Sequence, residues 1–352
     1  MTNPPNGPPN RPPTIYDVAK AAGVASSTVS RAFSRPGRVN AETAERIREA
    51  AVALGYRTNP LARALPTGRT SMIAVMISDV TNPFYFEIIR GAQAAAAEAG
   101  YTMLLADAQE SDVFEREALD RALPTVEGIV LASSRMSDSA IRMTAKQRPM
   151  IVLNRAVADV PSLVTDNPNG ARRAAEHLAN LGHRAITYVA GPEASWADGV
   201  RWRSLRDACV QLGVQTRRAG PYPPTVLGGE QAARALRARP PSAILAYNDL
   251  VAIGLIRGLT AAGTRIPDEV SIIGFDNIFA ADLVTPRLTT IAAPLRALGT
   301  TAVHNLLAII NGARSTATEP MILPIRLIEG GSTARRARQR SLRTPTSGAP
   351  GG

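Results

Sequence analysis

The chain has 352 residues, 45% of them hydrophobic, which is enough for two or three domains with their own cores. No apolar run approaches the roughly 20 residues that cross a bilayer. The N-terminus also lacks the basic-then-apolar layout of a secretory signal, so we expect a cytoplasmic protein and no membrane partner. The single cysteine, Cys209, excludes an intramolecular disulfide and a cysteine-based metal cluster.

The net charge of +11 is concentrated in two short segments. Residues 1–70 contain ten basic and four acidic side chains, and residues 335–352 contain five arginines and no acid. Between them, residues 71–334 balance 25 basic against 25 acidic side chains. A basic head on a neutral body is typical of a protein that binds nucleic-acid phosphates by counterion release, although many basic segments are merely solvated.

Residues 1–13 are a low-complexity Pro/Asn stretch, which predicts a disordered arm. Thr14 followed by Asp17 then predicts a capped helix start, with Asp17 at the positive end of the helix dipole. A turn at Gly23 leads into a second helix that contains residues 25–32. Two short helices joined by a glycine-containing turn are typical of the helix-turn-helix motif, in which the second helix enters the DNA major groove.

A third helix is predicted from an N-cap at Asn40 to a glycine stop at Gly55. The three helices together form a small all-α DNA-binding head over residues 14–58. Residues 59–70 follow as a hinge and linker, in which a one- or two-turn helix could run from Pro60 to Pro66. Alone, so short a helix is marginal in water.

The hydrophobic period changes after residue 71, because short apolar runs now alternate with amphipathic helical stretches. Seven such runs predict strands at 73–77, 103–105, 129–131, 150–153, 186–189, 243–246 and 271–275. This alternation predicts an α/β core of doubly wound parallel sheets, and the strand number favours two lobes. We expect the core over 71–334, with a first lobe of about 71–162 and 293–322 and a second of about 163–292 and 323–334. Residues 335–352 are expected to be a disordered, arginine-rich tail.

Ligands of such sheets bind beyond the carboxyl ends of the strands, so polar residues directly after the apolar runs are candidate ligand contacts. Those residues are Asp79, Asn154 and Arg155, Asn248 and Asp249, and Asp276 and Asn277. The three histidines, His177, His183 and His304, are scattered, and neither a metal site nor a cofactor is expected. Phosphate-binding, dinucleotide-binding and serine-nucleophile motifs are also missing, which argues against an enzyme.

Several separate motifs then occur in order, among them Thr28-Val29-Ser30-Arg31, Asn82-Pro83-Phe84-Tyr85 and Asp166-Asn167. Others lie at 15–19, 54–60, 181–184, 248–249, 267–276 and 288–291. On these residues the chain, over about 14–334, resembles the lactose-repressor-like (LacI/GalR) family of bacterial transcription regulators. The resemblance implies a DNA-binding head, a hinge helix, a core like that of periplasmic sugar receptors, and a homodimer that reads a pseudo-palindromic double-stranded operator.

Position by position, the resemblance implies that Ser26, Ser27 and Arg31 face base edges, where an arginine can bind guanine bidentately. Four residues match positions that contact the DNA backbone and fix the register: Tyr16, Thr28, Ser30 and Asn40. Leu65 matches a leucine that is wedged into the minor groove. The chain departs from the family pattern at Ala25, where a serine usually caps the recognition helix, so that cap is absent or comes from Ser26.

In the core, the resemblance implies that Arg201 and Asp276 bind the effector, and that four residues lie at the cleft edge: Asp79, Phe84, Tyr85 and Asn248. An arginine and an aspartate beside aromatic rings suit a sugar or related polyol. The tail lacks leucine heptads, which argues against tetramerisation through a C-terminal coiled coil. We therefore interpret the chain as an effector-controlled transcription regulator, most readily a repressor. The alternative is a solute receptor or sugar-modifying enzyme of similar architecture, which would leave residues 14–65 unexplained.

Overall fold

The computed structural model describes residues 11–34, 37–56, 69–313 and 319–336. Most of the N-terminal arm, most of the expected hinge and most of the basic tail lie outside the described residues. Contacts within the chain divide it into two units, residues Met1–Thr70 and Ser71–Gly352. Each unit is described below by itself.

The first unit contains three helices: α1 (Ile15–Ala22), α2 (Ser26–Ser34) and α3 (Ala41–Leu54). The capped start of α1 is confirmed, because Asp17 Oδ2 accepts hydrogen bonds from Thr14 N at 2.8 Å and Thr14 Oγ1 at 2.7 Å. Gly23 and Gly55 end α1 and α3 in the left-handed conformation, at φ 64° and 66°. This conformation costs glycine nothing, which explains the choice of residue at both stops.

The core of the head is small and comes from all three helices. Val18 of α1, Val29 of α2 and Ile47 of α3 are fully buried against one another. Phe33 and Tyr56 close the cluster, with ring centroids 6.1 Å apart. A cluster of this size is enough for a three-helix DNA-binding module and too small for a catalytic domain.

The second unit alternates strands and helices through its whole length. Its elements are β1 (Met72–Ile77), α4 (Phe84–Glu98), β2 (Thr102–Asp107), α5 (Asp112–Ala122), β3 (Gly128–Ala132), α6 (Asp138–Ala145), β4 (Met150–Leu153), β5 (Ser162–Thr165), α7 (Asn167–Asn180), β6 (Ala185–Val189), α8 (Trp196–Leu212), β7 (Gln215–Ala219), α9 (Val226–Leu236), β8 (Ala243–Ala246), α10 (Asp249–Ala261), β9 (Ser271–Asp276), β10 (Thr289–Ala292), α11 (Leu295–Ile310), β11 (Met321–Leu323) and β12 (Arg326–Ile328). A 3₁₀ turn, Phe279–Asp282, lies between β9 and β10. No described helix combines the length and the apolar character needed to traverse a bilayer.

The strands form two six-stranded sheets, in the orders β11-β5-β4-β3-β1-β2 and β12-β10-β9-β8-β6-β7. All pairings are parallel except that of β12 with β10, so the predicted doubly wound α/β core is confirmed with one antiparallel edge. The middle strands are buried on both faces because helices cover both sides of each sheet.

The chain crosses between the two lobes three times. It leaves the first sheet after β5, returns at α11, which packs on α4, and leaves again between β11 and β12. The first crossing differs from the expected boundary at residue 162, because β5 (Ser162–Thr165) pairs with β4 and belongs to the first sheet. Strand β5 is only four residues long and has no long apolar run, so the sequence does not show whether it pairs in the first or the second sheet.

Candidate functional site

The exposed face of α2 is the candidate DNA-binding surface of the head. Val29 is fully buried, and at 3.6 residues per turn Ser27 and Arg31 lie on the opposite side of the helix. Both are exposed, while Ser26, Thr28 and Ser30 are half-buried along its flanks. A short serine hydroxyl and a long guanidinium, one turn apart and free of the core, can reach base edges in a groove.

The remaining DNA-contact candidates of the head have different roles in the fold. Tyr16 has 71% of its surface exposed, on the first turn of α1. Asn40 is the N-cap of α3, and its Oδ1 accepts a hydrogen bond from Glu42 N at 2.9 Å. Leu65 and the hinge lie outside the described residues.

The start of α2 carries no side-chain cap. The Ala25 carbonyl accepts hydrogen bonds from Thr28 N at 2.9 Å and Val29 N at 3.2 Å, which places Ala25 at the N-cap position. Its methyl group cannot accept a hydrogen bond from the first-turn amides, which a serine oxygen would do. The sequence left two possibilities open at this helix start, and the structure shows that Ser26 does not shift it.

The candidate ligand site of the core is a cavity where the two lobes face each other. Its lining comes from loops after β1, β2, β3 and β4 in the first lobe and after β6, β8 and β9 in the second. These include the switch points of both sheets, where the connections from two neighbouring parallel strands run in opposite directions and leave a crevice. The free space among the lining side chains is about 30 Å³, far below the roughly 300–1,000 Å³ of a typical ligand pocket, so the lining side chains of the two lobes fill most of the crevice.

Arg201, on α8, is the central cation of the cavity, and its side chain is 6% exposed. Its Nε donates to Asn167 Oδ1 at 2.8 Å and its Nη1 to the Tyr247 carbonyl at 2.5 Å. Its Nη2 lies 3.5 Å from Asp276 Oδ1. The guanidinium also stacks on Phe275, with Cζ 3.6 Å from the ring centroid, which fixes its plane.

Asp276 ends β9 inside the cavity with an unusual backbone and a perturbed acidity. Its φ of 118° lies in a region that L-residues rarely adopt, and Asn277 follows at φ 57°. Burial raises the pKa of Asp276 to about 7, although the neighbouring Arg201 cation lowers this pKa in part. Burial and repulsion from Asp276 also raise the pKa of the fully buried Asp249 well above its usual value. The pair therefore holds fewer negative charges at neutral pH than two carboxylates ordinarily would.

Five of the six residues expected at the effector site line this cavity: Phe84, Tyr85, Arg201, Asn248 and Asp276. Phe84 and Tyr85 are buried and pack edge to face at 5.0 Å. Asn248 also caps α10, because its Oδ1 accepts from Val251 N at 2.9 Å. Asp79 is not among the lining residues: its Oδ1 accepts from Thr81 N at 2.8 Å and Thr81 Oγ1 at 2.6 Å, which forms the turn before α4.

The sequence reasoning missed several lining residues, above all Arg135 and Glu110 of the first lobe. Arg135 comes three residues after β3 and Glu110 three residues after β2, so the strand-end rule applies to both. The backbones beside them are strained, with φ of 56° at Ser133 and 58° at Glu110. Tyr247 and Trp196 also line the cavity, whereas Trp202 packs on Tyr188 in the second-lobe core.

Two side chains singled out in the sequence have structural roles. Cys209 is fully buried, as expected of a small apolar residue, and burial raises its pKa to about 11. His183 is 3% exposed, and its two ring nitrogens lie 3.1 Å from Ser242 Oγ and from Ser271 Oγ. Burial lowers its pKa, so it is neutral at physiological pH.

A helix-turn-helix head with an exposed polar recognition face, together with a two-lobed α/β core, defines the class of DNA-binding transcription regulators. Residues 14–59 match the family described as bacterial regulatory proteins, lacI family, and residues 175–333 match the periplasmic binding protein-like domain. The HTH-type transcriptional regulator DegA of Bacillus subtilis is 32% identical over 336 residues, which cover 91% of this chain and 98% of that protein. The transcriptional repressor CytR of Escherichia coli K12 is 31% identical over 330 residues, covering 91% and 96%. The chain belongs to the LacI family of bacterial transcription regulators, and its relatives are regulators and not enzymes.

Solved structures agree with this assignment. The Lac repressor dimer bound to operator and the anti-inducer ONPF superposes with a TM-score of 0.83 at 26% identity, covering 92% of this chain and all of that chain. A LacI-family regulator from Enterococcus faecium with bound ribose superposes with a TM-score of 0.68 at 32% identity, covering 76% and 100%. The predicted family and fold class are confirmed.

Proposed function

We propose that this chain is a homodimeric repressor whose operator affinity is controlled by a sugar-like effector bound between the two lobes. The observation that carries the proposal is the Arg201–Asp276 pair, buried beside Phe84 and Tyr85 in a cavity that both lobes line. A guanidinium donates to hydroxyl oxygens, a carboxyl group accepts from hydroxyls, and aromatic rings cover the apolar face of a sugar. The Lac repressor neighbour is a dimer on its operator, and the Enterococcus neighbour holds ribose.

The closed cavity supplies the physical basis for control. A sugar cannot enter about 30 Å³, so binding requires a different arrangement of lobes or side chains. A ligand shifts DNA affinity only as far as it prefers one arrangement over another. The effector therefore acts by changing the balance between lobe arrangements. Acting on bacterial DNA, such a regulator works in the cytoplasm.

In the head, we assign base reading to Ser26, Ser27 and Arg31 and backbone contacts to Tyr16, Thr28, Ser30 and Asn40. The exposure of Ser27 and Arg31 opposite the buried Val29 supports the first assignment. Minor-groove insertion of Leu65 rests on family resemblance alone. Two copies of α2, one per protomer, would read half-sites about one helical turn of DNA apart.

The test is selection of operator sequences from a random DNA library with the full chain at physiological salt. We expect a pseudo-palindromic consensus, and the variant Arg31→Ala should lose about 1–3 kcal/mol of discrimination at one base pair per half-site. Arg46→Ala, an exposed arginine of α3, is the matched control and should keep the discrimination. Sequence-blind binding by the native chain would favour the solute-receptor alternative.

A further inference from the structure

Two buried arginines form the first-lobe wall of the cavity. Arg135 has 6% of its side chain exposed, and both its Nε and its Nη2 lie 2.6 Å from Glu110 Oε2. Arg155 follows β4 and has 12% of its side chain exposed. Its Nη1 donates to the Ser134 carbonyl at 3.1 Å and the Met136 carbonyl at 2.6 Å. The same wall holds the neutral side chains of Asn82, Ser133, Ser134 and Asn154, which suit hydroxyl groups, and two arginines beside them add a pair of cations that matches an anionic group.

Arg155 is incompletely satisfied. Its Nε is buried and makes no hydrogen bond with any residue in the described part of the chain. Its Nη2 donates to Asp138 Oδ1 at 2.5 Å, but that carboxylate is 49% exposed and does not line the cavity. A buried N–H donor without a hydrogen-bond partner carries a desolvation penalty, which is larger on a charged group. A ligand oxygen that accepted a hydrogen bond from Arg155 Nε would remove this penalty.

The charged side chains of the lining are also unbalanced, because arginines outnumber carboxyl groups. Arg135, Arg155 and Arg201 face two lining carboxyl groups, those of Glu110 and Asp276. Burial raises the pKa of Asp276 to about 7, so at neutral pH it supplies only part of a negative charge. The lining therefore holds one more arginine than carboxyl groups, because Asp138, the carboxylate partner of Arg155, lies outside the cavity and is 49% exposed, where solvent screens its charge.

Two further carboxyl groups, those of Asp249 and Glu115, lie behind the lining and accept hydrogen bonds there. Asp249 accepts from Thr290 Oγ1 at 2.5 Å and Ile278 N at 2.9 Å, and burial together with the neighbouring Asp276 raises its pKa. Glu115 accepts from Arg135 N at 2.9 Å, and burial raises its pKa as well.

We propose that the effector is an anionic polyol, whose carboxylate or phosphate group contacts Arg155 and Arg135 while its hydroxyl groups contact Arg201 and Asp276. This proposal rests on the proposed function and narrows its ligand class. Guanidinium groups match both kinds of anion in a planar, two-pronged geometry. The anionic end faces the first lobe and the hydroxyl end the second, so a ligand of this class binds both lobes at once.

The test measures binding to the full chain by calorimetry and thermal shift, with matched probes. One series is D-ribose, D-ribonate and D-ribose 5-phosphate, and the other is D-glucose, D-gluconate and D-glucose 6-phosphate. We expect at least one acid to bind tenfold or more tightly than its neutral parent. Whether that acid is the sugar carboxylate or the sugar phosphate shows which anionic group the site prefers. Equal or tighter binding of the neutral parents, or no binding by any acid, would overturn the proposal.

Arg155→Gln should reduce the acid-to-neutral affinity ratio at least tenfold, whereas the exposed control Arg121→Gln, on α5, should keep it. If Arg155→Gln does not fold, the native chain still provides a test, because raising the salt concentration should weaken the acid and spare its neutral parent. Neutral sugars that bind and release operator while acids are inert would leave the repressor function intact and remove only this inference. Failure to select an operator would remove the function while acid binding could still be measured.

Discussion

Phe86 of α4 and Phe279 of the 3₁₀ turn stack across the lobe interface, with ring centroids 6.3 Å apart and ring planes 16° from parallel. One ring belongs to each lobe, and both are partly exposed, at 41% and 60%. The pair therefore lies at the rim of the interface and not in either core. A contact made only when the lobes are closed stabilises the closed arrangement relative to an open one.

Phe279→Ala should shift the chain toward lobe separation. An aromatic pair contributes about 0.5–1.5 kcal/mol, so the closed-to-open ratio should fall roughly 2- to 13-fold. Acrylamide quenching of Trp196, which lines the cavity, reports the change in a Trp202→Phe background. Phe114→Ala, an exposed phenylalanine of α5, is the control and should not alter quenching. Equal quenching in the native chain and Phe279→Ala would show that the stack does not hold the lobes.

The buried acid Asp276 should make core stability fall as pH rises. Its folded pKa of about 7 exceeds the ordinary value of 3.8, so the folded state binds more protons than the unfolded state between these values. Each unit of difference is worth about 1.4 kcal/mol, so the loss between pH 4 and 7 is at most about 4 kcal/mol. Asp276→Asn carries no titrating group at this position and should escape the loss.

The measurement is urea unfolding of the native chain and of Asp276→Asn from pH 4 to 8. Titrating groups that do not interact with Asp276 cancel in the difference between the two proteins, whereas Asp249, whose pKa Asp276 raises, contributes to it. We expect the variant to gain stability relative to the native chain as the pH rises to about 7, and then to hold a constant difference. A difference that is flat across this range would mean that Asp276 titrates normally.

Ala25→Ser should stabilise the recognition helix. The serine oxygen can accept a hydrogen bond from the amides of the first turn of α2, which no side chain now does at the Ala25 position. A cap of this kind is worth about 1 kcal/mol, so amide hydrogen exchange in α2 should slow about fivefold when measured by mass spectrometry. Ala25→Val supplies no acceptor and ranks with alanine as an N-cap residue, so it should not slow exchange. Unchanged exchange in Ala25→Ser would show that the helix start does not limit opening.

Helices α9 and α10 approach each other so closely that only glycine fits at their contact. A Cβ atom on Gly254 would lie 2.0 Å from the Val226 carbonyl oxygen, which is backbone and cannot move aside. Gly254→Ala should therefore destabilise the core by about 1–3 kcal/mol in chemical denaturation. Gly199→Ala in α8 meets nothing closer than 3.6 Å and should instead stabilise by about 0.5–1 kcal/mol. Equal effects of the two changes would contradict the close-packing argument.

The elements that the sequence reasoning found are those with a strong local signal. All seven predicted strands are present, and six of them have apolar runs that are buried on both faces, while β2 is a partly exposed edge strand. The edge strand β7 (Gln215–Ala219) was missed because most of its residues are exposed and polar, without an apolar run. The short strands β11 and β12 depend on partners far away along the chain, Leu163 and Thr290 among others, which no local pattern reveals.

The residues of the candidate site also divide into those with a local sequence signal and those without one. Asp276 and Asn248 could be found from their place at the end of a buried strand. Asp79 has an equivalent place, but its carboxylate accepts hydrogen bonds from Thr81 and does not line the cavity. The strand-end rule indicates which loops line the site, but it does not indicate in which direction each side chain of those loops points. Arg135 lies three residues after β3, so the strand-end rule covers its loop, but a list limited to the residues directly after each strand leaves it out.

The three crossings between the lobes also set the order in which the protein can assemble during synthesis. The first sheet is incomplete until β11 (Met321–Leu323) has been made and has paired with β5, more than 150 residues earlier. Residues Met1–Thr70, by contrast, form a contact unit of their own. Local contacts form faster than distant ones, so the head can fold on the ribosome while most of the core is still missing. A nascent chain thus acquires its recognition helix before it has a cleft through which that helix could be controlled.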